Sequence, residues 1–85
     1  MADLPDEDGR LILAALGATI RDHRIQAGMT QTELAESAGI KRGHIYSIET
    51  GKKSATVLLL VRLARSLGVT PGDLLQPVPL SRAAR

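Results

Sequence analysis

Residues 30 to 51 read TQTELAESAGIKRGHIYSIETG, and this stretch decides the fold. Met29, Thr30 and Glu33 ahead of Leu34 have the form of a capping box with a hydrophobic staple. Thr30 accepts from the Glu33 amide, Glu33 reaches back, and Met29 packs on Leu34. A helix therefore starts at Gln31. It is short, because Gly39 follows Ala38 as a residue permissive at positive φ and Ile40 opens a new segment. From Arg42 to Thr50 the residues again fall on helical faces, with Ile45, Ile48 and Glu49 on one side and Gly43, Ser47 and Thr50 on the other. Two short helices that cross steeply need a small residue at the contact and a permissive turn between them, which Ala35 and Gly39 supply. Leu34, Ala38, Ile40, Ile45 and Ile48 are the apolar anchors.

On the N-terminal side, MADLPDEDG combines acidic residues with Pro5 and Gly9 and reads as a flexible acidic arm over residues 1–9. The apolar run at 11–18 follows acid rather than base, which argues against a secretion signal. No stretch approaches the ~20 apolar residues that span a bilayer. A helix is expected from Arg10 to Ala27, with Leu13, Leu16, Ile20 and Ala27 at helical spacing, ending before Gly28. On the C-terminal side, a loop of small and basic residues from Gly51 to Ala55 leads to a helix over residues 56–67, closed by Gly68. Thr70, Pro71, Gly72 and Asp73 form a second capping box with proline at the first helical position, opening a last helix that runs through Leu75. Pro77 and Pro79 stop it, and residues 77–85 read as a flexible tail. With no strand signal the expectation is an all-α domain of five helices over residues 10–76.

Composition narrows the chemistry. The 85 residues include one Tyr and no Phe, Trp or Cys, so the core must be aliphatic, and thiol catalysis and cysteine zinc sites are excluded. The absence of cysteine fits an intracellular, cytoplasmic protein. His23 and His44 are the only imidazoles, too isolated for a metal site, and no nucleophile, base and orienting group can be assembled; neither an enzyme nor a cofactor is expected. Four acids against Arg10 put the first ten residues at −3 and leave +5 to the rest. Between Ile40 and Ser54, Lys41, Arg42, Lys52 and Lys53 stand against Glu49 alone, a patch that suits a polyanion. On charge alone an ordinary solvated face is the plainer reading.

The segment MTQTELAESAGIK, residues 29–41, resembles the helix-turn-helix of the Cro and repressor proteins of lambdoid phages, the XRE-like regulators. The similarity continues through IYSIETGK to RLARSLGVTPGDLL. That resemblance implies a five-helix domain that binds operator DNA as a dimer, with its third helix in the major groove. By position it implies base reading by Arg42, Gly43 and Ser47, flanked by His44 and Tyr46. Gly43 departs from the long polar residue often found there, removes one reader and lets the backbone approach the groove. Arg42 is then the main reader, through the bidentate contact to guanine, or else a phosphate clamp. Tyr46 either touches DNA or packs on the following loop.

Gln31, with Thr30 at the same helix start, matches a phosphate contact, in agreement with the anion-attracting amides there. Lys41 stands where the family has Ser or Thr as a cap; lysine has no acceptor, a choice that costs about 0.5–2 kcal/mol and that a DNA phosphate would offset. Gly51, Lys52, Lys53 and Ser54 match a loop that grips the DNA backbone by amide and by charge. Arg24 and Glu49 match an ion pair joining the first and third helices. His23 reads as a partly buried packing residue.

Taking Leu60 as the centre of the fourth helix's core face, Val57, Leu63, Ala64 and Leu67 fall inward, Leu58 lies nearly opposite and Leu59 and Val61 lie on the flanks. Relatives commonly carry polar residues at 58 and 59. Leucine there asks for a partner, and a homodimer through Leu58, Leu59, Val61, Leu74 and Leu75 is expected, with Val78 and Leu80 as further contacts. The alternative is that Leu11, Ile12 or the tail covers them within one chain. The sequence thus reads as a DNA-binding transcriptional regulator of repressor type, associated with the nucleoid and bound to a palindromic operator. An antitoxin-like module holding a toxin or other protein is the alternative.

Overall fold

Each of four helices begins at a side chain that caps it. Asp6, Thr30, Thr56 and Thr70 accept a hydrogen bond from the backbone amide three residues on, satisfying donors that a helix start leaves bare. The computed structural model describes residues 6–78. Its elements are α1 Glu7–Gln26, α2 Gln31–Ala38, α3 Arg42–Glu49, α4 Val57–Leu67 and α5 Pro71–Leu75, with no strand among the described residues. The capping boxes at Thr30/Glu33 and Thr70/Asp73 are both closed. The Thr70 amide, and then its hydroxyl, hold the Asp73 carboxyl below the ordinary carboxylate value.

Helix α1 starts before the expected boundary at Arg10. Asp6 caps it through the Gly9 amide at 2.8 Å, and Glu7 and Asp8 sit in the first turn, where the helix dipole favours negative charge. The acidity read as an arm is, from residue 6 onward, a helix start; residues 1–5 lie outside the described residues. At the other end Ala27, the last of the apolar positions read at helical spacing, is exposed, because it is already the C-cap.

The aliphatic core is drawn from every helix: Leu16 and Ile20 of α1, Leu34, Ala35 and Ala38 of α2, Ile45 and Ile48 of α3, five residues of α4, and Leu74 of α5. Gly39 sits at φ +76 in the left-handed region, as the turn between α2 and α3 requires. Gly17 was not singled out by its pattern. It lies where α1 crosses α3, and a Cβ there would run into the carbonyl oxygen of Ile48 and approach that of Glu49 to 2.7 Å. Helix α4 is turned relative to the expected face: its buried residues are Leu59, Leu60, Leu63, Ala64 and Leu67, so Leu59 belongs to the core and Val57 is 79% exposed. Centring the wheel on Leu60 rather than nearer Leu63 and Leu67 produced the error. Val78 packs against the core and its amide donates to the Leu75 carbonyl, so the fold extends past the boundary drawn at residue 76. Residues 79–85, including Leu80, lie outside the described residues. No helix among the described residues is long and apolar enough to cross a membrane.

Candidate nucleic-acid interface

Helix α3 has two unlike sides. Ile45, Ile48 and Glu49 are buried, while Arg42, Gly43 and Tyr46 are exposed and His44 and Ser47 half-buried. Lys41 is the N-cap and makes no side-chain cap bond, so the first turn of α3 presents its amides without the oxygen that caps the other helices. The dipole adds partial positive charge at the same end, beside Lys41 and Arg42.

The inner side of α3 is fixed by a buried network. Arg24 donates through Nε to Glu49 Oε2 at 2.7 Å, through Nη2 to Oε1 at 3.1 Å, and through Nη1 to the Met29 carbonyl at 2.9 Å. The Glu49 side chain is 1% exposed and that of Arg24 11%, so this is a paired charge in the interior. Gln31 donates from Nε2 to the same Glu49 Oε1 at 3.1 Å. The side chain assigned to phosphate is therefore tied inward by one amide proton, leaving the second for an outside acceptor. Pairing between Gln31 and Glu49 joins separate elements and has no local sequence signal. Thr30, at the same helix start, uses its hydroxyl oxygen to accept from Glu33, and its hydroxyl proton is the group it can offer a phosphate.

The loop after α3 departs from expectation in one respect. The amides of Gly51, Lys52 and Lys53 are directed inward, to Ile48 O at 3.1 Å and to Ser47 O at 2.8 and 3.2 Å. They close the end of α3, as helix C-termini require, and cannot also grip a phosphate. Gly51 has a structural reason as well: φ is +76, and a Cβ would lie 3.2 Å from the Ala14 Cα. What the loop offers a polyanion is the charge of Lys52 and Lys53 and the exposed Ser54. The Lys52 ammonium stands 5.8 Å from the centre of the Tyr46 ring, a cation–π contact that holds it along α3. Tyr46 thus meets the loop while the residue stays 47% exposed.

The second surface is smaller than expected. Leu59 and Leu74 are buried in their own chain, at 6% and 0% exposure, and cannot form a partner contact. Val61 is half-buried, and Leu58, Leu75 and Val57 are exposed. Leu11 is exposed too, so it does not cover them. On another side Ser37 of α2 donates to Ser66 of α4 at 2.8 Å, beside a shallow polar groove with Arg62 and Arg65.

Comparison with known proteins places this arrangement. A helix-turn-helix family model matches residues 20–74. A transcriptional regulator of the HTH type from Methanothermobacter thermautotrophicus is 47% identical over 49 residues, covering 58% of this chain and 71% of that protein. A hypothetical transcription factor of Neisseria meningitidis is 32% identical over 76 residues, 89% of this chain and 70% of its own. Among solved structures, the restriction-modification controller protein C.AhdI from Aeromonas hydrophila matches with a TM-score of 0.72 at 27% identity, over 73% of this chain and 94% of that one. The clp gene regulator ClgR from C. glutamicum matches at 0.75 and 33%, over 79% and 87%. A transcriptional regulator's helix-turn-helix, built on a buried Arg24–Glu49 pair, is thus what residues 20–74 form, and the chain belongs to the helix-turn-helix family of XRE-like, Cro-type DNA-binding regulators.

Proposed function

We propose that the protein regulates transcription by binding a palindromic operator as a homodimer, α3 lying in the major groove of each half-site. The observation that carries this reading is the division of α3: an inner side pinned by Glu49 and an outer side carrying Arg42, with Lys41, Lys52 and Lys53 around it. Arg42 reads a base edge, with His44, Tyr46 and Ser47 beside it, and the lysines, Gln31 and Thr30 hold phosphate. Binding should weaken steeply as salt rises, because each neutralised phosphate releases counterions. Lys41→Ala should shallow the slope of log K against log salt by about one. Failure of any genomic duplex fragment to bind at low salt would sink the reading.

Exposed Leu58, Val57 and Leu75 support a two-fold contact that sets two reading helices about 34 Å apart, one turn of DNA. Leu58→Glu should lower the mass seen by sedimentation from dimer to monomer at micromolar concentration. A wild-type protein that sediments as a monomer with and without operator rules the dimer out. The same apolar patch would serve a toxin or other protein partner, a reading favoured if the dimer is absent.

A further inference from the structure

Gly43 is the second residue of α3, and the fold gives no reason for glycine there. It is not among the positive-φ glycines, and a Cβ built on it meets nothing within 4 Å, in contrast to Gly17 and Gly51. Glycine is a poor helix former, so alanine would serve the fold better. On a helical wheel Gly43 points almost directly away from Ile45, Ile48 and Glu49, at the middle of the exposed face and between Arg42 and His44. Position 43 thus leaves a gap in the side chains of that face, open to whatever touches it.

Resting on the reading that α3 enters the major groove, we propose that Gly43 is a specificity-determining notch that receives the C5-methyl group of a thymine. A position without a side chain offers only Cα and its hydrogens, an apolar depression one methyl deep. A polar base-edge atom seated there would lose water without gaining a side-chain partner. Among the groups that base pairs present in the major groove, the thymine methyl is the apolar one that projects, and it fits a surface that lacks a methyl. Arg42 on the preceding position reaches the neighbouring base pair, so position 43 reads shape while position 42 reads hydrogen bonds.

The test exchanges methyl groups across the interface. Wild-type protein selects a site from random duplex DNA, and each thymine of that site is then replaced in turn by deoxyuridine, which lacks only the methyl. One thymine per half-site should stand out, its replacement weakening wild-type binding about fourfold. Gly43→Ala should bind the thymine duplex about tenfold or more weakly, through overpacking, and recover to within about twofold of wild type on the deoxyuridine duplex. Its melting temperature should rise by about 2–5 °C, which separates lost affinity from lost folding. Equal binding by Gly43→Ala and wild type on the thymine duplex overturns the proposal. So does an equal loss on both duplexes, which would place the DNA backbone, not a base, against Gly43. A wild-type protein that selects no duplex at all overturns the major-groove reading and the notch with it, whereas a selected site with an indifferent Gly43→Ala overturns the notch alone.

Discussion

Gly17→Ala is expected to lower the stability of the domain by about 3 kcal/mol or more, and its melting temperature by about 12–20 °C. The added methyl meets the backbone carbonyls of Ile48 and Glu49, atoms that cannot rotate aside as a side chain could. The remaining relief is to move α1 away from α3. That movement loosens the core that Ile20 shares with Ile45 and Ile48, and it stretches the 2.7 Å bond from Arg24 to Glu49. The effect runs against intrinsic propensity, since alanine in the middle of a 20-residue helix would otherwise be the better residue. Denaturant unfolding followed by circular dichroism measures it. A melting temperature within about 3 °C of wild type would mean that the helices separate at little cost and that the crossing is not the tight one described.

Arg24→Met should cost about 3–5 kcal/mol, because it leaves the Glu49 carboxylate buried with Gln31 as its remaining side-chain donor. Three donated hydrogen bonds disappear together, two to Glu49 and one to the Met29 carbonyl at the entry to α2. The discriminating variant is the pair Arg24→Met with Glu49→Leu. Removing both charges replaces a costly buried carboxylate by apolar contact and should recover most of the loss. Chemical denaturation of the single and double variants decides between causes. A double variant no more stable than Arg24→Met would show that the loss comes from packing of the arginine stem rather than from the orphaned carboxylate.

Much of this fold is readable along the chain because its punctuation is local. A cap and its amide are three residues apart, so Thr30 with Glu33 and Thr70 with Asp73 announce their helices without tertiary knowledge. Asp6 obeyed the same rule, yet its neighbours Pro5 and Gly9 drew the reading toward an arm. Ala35 at the crossing of α2 and α3 was legible from the small residue a steep crossing needs, but other features created by helices meeting were not. Gly17 sits in an ordinary helical run, and its necessity lies in the backbone of α3. The face of α4 depends on where α2 and α5 approach, and a wheel centred on one leucine placed Leu59 on the flank and Val57 inside. The Arg24–Glu49 pair came from family resemblance, not from periodicity, and nothing in either source pointed to Gln31 as the third member. For the interface, charge and exposure at Lys41, Arg42, Lys52 and Lys53 are visible in sequence. That the loop amides are already engaged at Ser47 and Ile48 is a matter of chain geometry after α3, which composition does not encode.

The Glu49 carboxylate is shared by α1 through Arg24 and by α2 through Gln31, while its own backbone lies in α3. One buried group thereby ties the first turn of α2 to α3 and to α1, so that in the proposed complex these helices meet the duplex as a single rigid body. On the proposed reading, association with DNA has few internal freedoms to remove, because the ordering of these helices is settled at folding. Tolerance of the surface follows from the same rigidity: the outer residues of α3 can be exchanged for others without being needed to hold the helix in place.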